Sequence, residues 1–310
     1  MRVTAYPDRI PLNVHESSLD RSGGDIAPVR LRAGRFEFSL GRPLLMGVVN
    51  VTPDSFSDGG RHGSTDLAIA HALRLAAEGA DILDIGGEST RPGSLPVPAD
   101  IELARVLPVI EALAPGPVPV SVDTGKAAVI RAALGAGASM INDVWALRLP
   151  GSLAAAAAGN AAVCLMHMRG EPRHMQVAPA YRDVTAEVVS FLRDRIAACE
   201  AAGFTRDRIV VDPGYGFGKR ARHNLQLIRR LGAIVALGQP VLAGISRKSM
   251  LGAITGHPEA DRVHASVAAA LALAARGASI LRVHDVAATR DALAVWLAIE
   301  DDEFELPEAP

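Results

Sequence analysis

A (β/α)8 barrel, built as a single domain with an N-terminal extension, is the fold class that this 310-residue sequence predicts, and three observations predict it. Short, evenly apolar runs alternate with helical patterns along the chain. A hydrogen-bonding side chain follows nearly every run. The hydrophobic share is 49% but aromatics supply only 4%, so Ala, Val, Leu and Ile carry the core, as suits helices packed on a sheet. A doubly wound open sheet shares this alternation and stands as the alternative.

The runs lie at residues 44–49, 82–85, 118–122, 139–141, 162–166, 209–211, 241–245 and 280–283. Each is too short and too uniformly apolar for a half-exposed strand, which suits a parallel strand covered on both faces. Between them, residues 183–199 place Val184, Val188, Phe191, Leu192, Ile196 and Cys199 at helical spacing. Residues 224–231 repeat the pattern with Leu225, Leu227, Ile228 and Leu231, and Gly79, Gly203 and Gly277 stand where helices should stop. Residues 1–34 are expected to be a poorly ordered or surface-bound extension, 35–299 the barrel, and 300–310 an acidic tail.

With 32 basic and 34 acidic residues the net charge is −2, and no basic stretch is interleaved with aromatics, so nucleic acid is not an expected partner. Cys164 and Cys199 stand apart in apolar surroundings, as buried free thiols of a reducing compartment do. The start lacks the apolar run of a signal peptide, and the Ala-rich stretches 153–166 and 265–275 are shorter than the roughly 20 residues of a membrane span. A cytoplasmic protein without a membrane partner is expected.

The strand ends carry the chemistry. Asn50, Asp123, Asn142, Asp143, His167, Asp212, Lys248 and His284 lie at or just beyond the ends of the runs, Arg282 lies just inside the last end and Asp84 within the second run, and a barrel opens all those ends onto one face. Asp123, Asn142 and Asp212 suit a heterocycle with amino and ring N–H donors. Lys248, Arg282 and His284 follow the last two strands, where barrels commonly hold phosphate. Taken singly these residues decide little: an Asp at a strand end also caps helices, the reading favoured for Asp143, and Lys or Arg also forms surface pairs. Residues 214–219 fail as a phosphate loop because Arg220 follows Lys219 and the spacing is one residue short. There is no zinc-type spacing and no nucleophile elbow.

Longer strings are more specific. Residues 50–60 (NVTPDSFSDGG) and 86–94 (GGESTRPGS) resemble the two signature loops of dihydropteroate synthases. The resemblance continues through SVDT (121–124), IND (141–143), MHMRG (166–170), DPGYGFGK (212–219), SRKS (246–249) and RVHD (282–285), spanning about residues 40–296. It implies a transferase in which 4-aminobenzoate displaces diphosphate from (7,8-dihydropterin-6-yl)methyl diphosphate, with Mg²⁺ as cofactor, sulfonamides as competitors and a homodimer as the assembly. Carried over by position, Asp123, Asn142, Asp212 and Lys248 would hold the pterin. Thr90, Arg282 and His284 would hold diphosphate, and Asn50 would ligate the metal. Phe56, Asp58, Thr90, Arg91 and Lys248 would serve catalysis, and Pro92, Phe217, Lys219 and Ser249 would line the aminobenzoate pocket. A pterin-dependent methyltransferase would share the carboxylates but not Asn50, Arg282 and His284. A catalytically silent pterin binder would share them all.

Overall fold

The computed structural model describes residues 30–52, 60–91, 93–258, 261–302 and 304, with the backbone alone at 60–64. A hairpin of β1 (Arg30–Ala33) and β2 (Phe36–Ser39) leads into the predicted strands. All eight runs form strands: β3 (Leu44–Asn50), β4 (Ile82–Gly86), β5 (Val120–Asp123), β6 (Met140–Asp143), β7 (Ala162–Met166), β8 (Ile209–Asp212), β9 (Leu242–Ala243) and β10 (Ile280–Val283). They pair in parallel in the order β8-β7-β6-β5-β4-β3-β10-β9. The sheet closes where Val211 bridges Val241 and its N–H donates to the Pro240 carbonyl at 3.0 Å. A barrel therefore forms, and the open-sheet alternative is set aside. β5 starts two residues later than the apolar run because Pro119 has no N–H for the ladder.

Helices fill the connections: α1 (Gly60–Glu78), α2 (Ala99–Leu113), α3 (Ala127–Gly135), α4 (Ser152–Ala157), α5 (Val184–Ala201), α6 (Ala221–Arg229), α7 (Gly232–Val235), α8 (Ser249–Thr255), α9 (Val263–Ala274) and α10 (Val286–Glu300). α5 begins where Asp183 accepts from the N–H groups of Thr185 and Ala186, satisfying two donors that have no partner within the helix. Among the described residues no helix is long and apolar enough to cross a membrane. Cys164 and Cys199 are free and buried.

Side chains alternate between the two faces of each strand, and this places the site. Outward residues such as Leu45, Val49, Leu83, Val122 and Val211 pack under the helices. Inward residues near the strand starts form a separate cluster: Leu44, Met46, Ile82, Met140, Ala162, Cys164, Val210, Leu242 and Ile280. Moving along the same inward rows, the next positions are Asn50, Asp84, Asp123, Asn142, Asp212 and Arg282. The barrel interior is thus apolar at the bottom and polar at the top.

The hairpin corrects one boundary. Residues 30–34, assigned to the extension, belong to the folded body. Leu31 and Ala33 are fully buried against the inward apolar cluster and plug the lower end of the barrel. An open barrel end would leave that cluster in water, so two apolar side chains on a short edge strand cover it. At the other terminus α10 reaches Glu300, the first residue assigned to the tail.

Candidate active site

Asp84 is the centre of the polar layer. It is fully buried in the middle of β4, and its Oδ2 accepts from Asn142 Nδ2 at 3.0 Å and from Arg282 Nε at 2.7 Å. Arg282 also donates through its second nitrogen to Asp123 Oδ2 at 3.1 Å. Four side chains from β4, β5, β6 and β10 are thereby locked together by register: Asp123 is level with Asn142 and with Gly86. Asn142 spends its amide N–H on Asp84, which leaves its Oδ1 as an acceptor. Asp123 makes no helix cap; the cap position of α3 is Lys126.

Burial is the first influence on these groups. It pushes Asp123 up to about 8, reinforced by the Asp84 carboxylate and opposed by Arg282. It raises Asp212 as well, with the Lys248 ammonium and the Gly214 N–H pulling the other way. Asp212 Oδ1 accepts that N–H at 2.6 Å. Lys248 is pushed down to about 8 by burial, and Asp212 opposes the shift. Arg282 stays firmly charged, because Asp84 and Asp123 outweigh its burial. Lys248 donates to the Tyr215 carbonyl and lies 4.6 Å from the centre of the Phe217 ring. Phe217 itself packs on a small cluster of Val144, Met166, Met168 and Met175. Ser249 is exposed beside Lys248 at the start of α8, so Phe217, Lys248 and Ser249 share the rim.

His284 was expected as part of a cationic cluster. Burial, with Arg282 and Arg247 nearby, lowers it to about 3, so it is a neutral ring. Its Nδ1 lies 3.1 Å from Ser246 Oγ, so it offers a hydrogen bond where a charge was expected. Arg247 pairs with Asp285.

Lys219, expected along the aminobenzoate pocket, is held inside the protein by its own loop. It is buried, with its Nζ 2.9 Å from His167 Nδ1 and donating to the carbonyls of His167, Gly214 and Phe217 at 3.1, 2.9 and 3.1 Å. With its donors spent on these groups, it staples the β8–α6 loop to the end of β7. The loop lies so close that a Cβ on Gly214, at φ +67°, would sit 2.0 Å from the His167 carbonyl oxygen. That contact explains the glycine which sequence reading had compared with a phosphate loop. Asp143 is likewise structural, as favoured, although it holds a loop and not a helix end: it accepts from Trp145 N at 2.8 Å and Leu147 N at 2.7 Å.

Asn50 ends β3 beside Gly86, where a Cβ would lie 3.6 Å from Asn50 Oδ1 and 4.0 Å from Asp123 Oδ2. The amide oxygen therefore faces the same space as the carboxylates. Thr90 is half-buried and Arg91 exposed on the loop after β4, and the Arg91 charge reaches His284. Phe56, Asp58 and Pro92 lie outside the described residues. Sequence reading left Asp84 without a role because it stands inside a strand. Its signal was there: a carboxylate within an otherwise apolar run, Ile82 to Ile85, that is buried on both faces.

Comparison with known proteins agrees with this arrangement. The profile of the family described as pterin binding enzymes matches residues 46–284. The dihydropteroate synthase of Neisseria meningitidis serogroup C is 51% identical over 273 residues, covering 86% of this chain and 96% of that protein. The solved structure of Xanthomonas albilineans dihydropteroate synthase with 4-aminobenzoic acid superposes with a TM-score of 0.83 at 55% identity, covering 88% of this chain and 98% of that one. The complex of the Xanthomonas albilineans protein with 7,8-dihydropteroate gives 0.80 at 54%, covering 87% and 98%.

Proposed function

Since the chain belongs to the dihydropteroate synthase family of pterin-binding enzymes, we propose that its polar barrel mouth joins (7,8-dihydropterin-6-yl)methyl diphosphate to 4-aminobenzoate, yielding 7,8-dihydropteroate and diphosphate. It is a transferase of folate biosynthesis. One observation carries the site assignment: Arg282 pairs with Asp123 and with the Asp84 that holds Asn142, and lies within electrostatic reach of Asp212, so these strand-end groups form one polar floor.

The chemistry follows from that floor. Asp212 and Asn142 present acceptors to the amino and ring N–H groups of a pterin, which would hold the ring by its hydrogen-bonding edge. The C–O bond to diphosphate then breaks, with the electron pair leaving on oxygen and a cation delocalised into the ring. Arg282 and Lys248 supply positive charge, and neutral His284 donates a hydrogen bond, on the side where the diphosphate departs. The arylamine nitrogen attacks the exocyclic carbon and then sheds a proton. An arylamine is neutral near pH 7, so no strong base is required to make it a nucleophile. Phe217, Lys248 and Ser249 form the rim along which the aminobenzoate would enter. A cation intermediate requires that water be kept out, a role that the two signature loops would share.

Mg²⁺ fits as a partner of the leaving diphosphate. It keeps waters and phosphate oxygens in its shell and needs few protein ligands. The resemblance points to the amide oxygen of Asn50 as the protein donor, and that oxygen lies beside Gly86 near Asp123. Bound there, the ion would neutralise charge on the leaving group. A homodimer and a cytoplasmic location complete the proposal. Val295 and Ile299 expose apolar surface on α10 that a second copy would cover, and both thiols are free.

The deciding assay combines purified protein, Mg²⁺, the dihydropterin diphosphate and 4-aminobenzoate, reading diphosphate and dihydropteroate together. Equal amounts of both are expected, with a sulfonamide competing against 4-aminobenzoate. Pterin binding without either product would instead identify a silent pterin binder.

A further inference from the structure

Of the chain's three lysines, the reaction uses Lys248 and the β8–α6 loop uses Lys219; the third, Lys126, holds two carboxylates that neither accounts for. We propose that Lys126 is a positioning residue: by tying Glu88 to Glu102, it sets where Thr90 and Arg91 stand over the site. This rests on the proposed reaction, because Thr90 and Arg91 matter only if substrate binds beneath them.

The Lys126 ammonium donates to Glu88 on the loop after β4 and to Glu102 on α2. Glu102 is fully buried, and its Oε1 has no hydrogen-bond partner among the described residues. A buried carboxylate satisfied at one oxygen is a poor stabiliser, and an apolar pair of the same volume would commonly do as well or better. What the charges add is direction. Lys126 occupies the position before α3, only three residues after Asp123, and its backbone N–H donates to Thr124 Oγ1 at 3.3 Å. A single ammonium therefore links the strand end that carries a pterin carboxylate to the loop that overhangs it.

The rest of the loop is built to transmit that placement. Arg105, one turn beyond Glu102 on α2, donates to the Gly87 carbonyl at 2.7 Å. Gly87 lies hard against the same helix: a Cβ there would meet Val106 Cγ1 at 2.7 Å and Glu102 Cγ at 3.1 Å. Residues 87 and 88 are thus fastened to α2 side by side. Further on, Ser94 Oγ lies 2.6 Å from the Ser89 carbonyl and 2.7 Å from that of Arg91, closing a turn around Thr90. Arg91 lies within electrostatic reach of His284, which follows β10, two strands along the barrel from β4. From Lys126 through Glu88 to the turn that holds Thr90 and Arg91 the loop is fastened at each step, so releasing Glu88 should misplace Thr90 and Arg91 while leaving the carboxylate floor intact.

The test uses Lys126→Met, Lys126→Arg and Glu88→Ala. Glu88→Ala leaves the Lys126–Glu102 pair in place and serves if Lys126→Met fails to fold. Displacement of a positioned group by about 1 Å can cost on the order of 100-fold in rate, so kcat is expected to fall at least about tenfold in Lys126→Met and Glu88→Ala. KM for 4-aminobenzoate should rise as well. The Kd of 6-hydroxymethyl-7,8-dihydropterin, which lacks the diphosphate that Thr90 would hold, should stay within about twofold by calorimetry without 4-aminobenzoate, and Lys126→Arg should recover most of the rate. Wild type without turnover would refute the function and this proposal with it. An active wild type with Glu88→Ala within about twofold of it would overturn the positioning role alone. A matched loss of pterin affinity and Tm in both disrupting variants would also overturn it, marking the pair as structural only.

Discussion

Replacing Asp212 by Asn should weaken pterin binding while leaving the fold as stable or more so, because the two effects come from opposite sides of one buried charge. Asparagine keeps the side-chain shape and can still accept the Gly214 N–H, which Asp212 Oδ1 now receives at 2.6 Å. In place of the second carboxylate oxygen it puts an NH2, aimed at substrate groups that are themselves donors. Two hydrogen bonds to a charged acceptor are lost, at about 1.5–3 kcal/mol each. The loss should total roughly 3–6 kcal/mol, a Kd increase of about 100- to 20,000-fold. Stability moves the other way. Burial raises the Asp212 pKa in the folded protein. Its contribution is therefore fully present below the unfolded value, near 4, and is lost as pH rises through the folded value. The Asn variant has no such loss, so its Tm relative to wild type should improve from pH 5 to pH 8. Removing the anion beside Lys248 offsets part of this gain, since Asp212 is what holds that ammonium up. Calorimetry with the dihydropterin diphosphate at pH 7.5 reads the first effect, and thermal unfolding of the ligand-free protein reads the second. A Kd within about threefold of wild type would refute the assignment of Asp212 to the pterin. A collapse of Tm at both pH values would mean that the carboxylate is a structural keystone.

Asp123 is held up to about 8, so the ligand-free protein should lose stability as pH rises from about 4 through about 8, and Asp123→Asn should flatten that slope; carbon NMR of the carboxyl should show the midpoint directly, and an ordinary acidic midpoint would contradict it. Leu31 is fully buried under the barrel, so Leu31→Ala should cost about 2–5 kcal/mol in urea unfolding, and a cost below about 1 kcal/mol would show that the hairpin plug is dispensable. Lys219→Met strands three carbonyls and the His167 ring; at about 1–3 kcal/mol for each buried group left unpaired, a loss of several kcal/mol is expected, and a near-neutral result would return Lys219 to the aminobenzoate pocket.

The strands, their order along the chain and most of the residues at their upper ends could be read from the sequence. Parallel strands buried on both faces leave uninterrupted apolar runs, and the polar residue that ends each run interrupts the pattern. The chemistry of the pterin floor followed from residue type and from the resemblance of the two long loops. The parts that escaped depended on neighbours distant in sequence. Asp84 could be assigned only once register placed it beside Asn142 and Arg282, 58 and 198 residues away. Lys219 sits in a string that looks like an anion cradle, yet the turns at its glycines aim backbone carbonyls inward and claim the ammonium. His284 carries a residue type that can be charged, but charge depends on solvation, and burial removes it. Arg30 to Ala33 reads as polar chain because two of its four residues are arginines, and only the open lower end of the barrel makes use of Leu31 and Ala33. Local pattern and residue chemistry therefore determined the elements and the candidates. Only barrel closure, which sets register and burial together, decided which candidates meet and which of them carry charge.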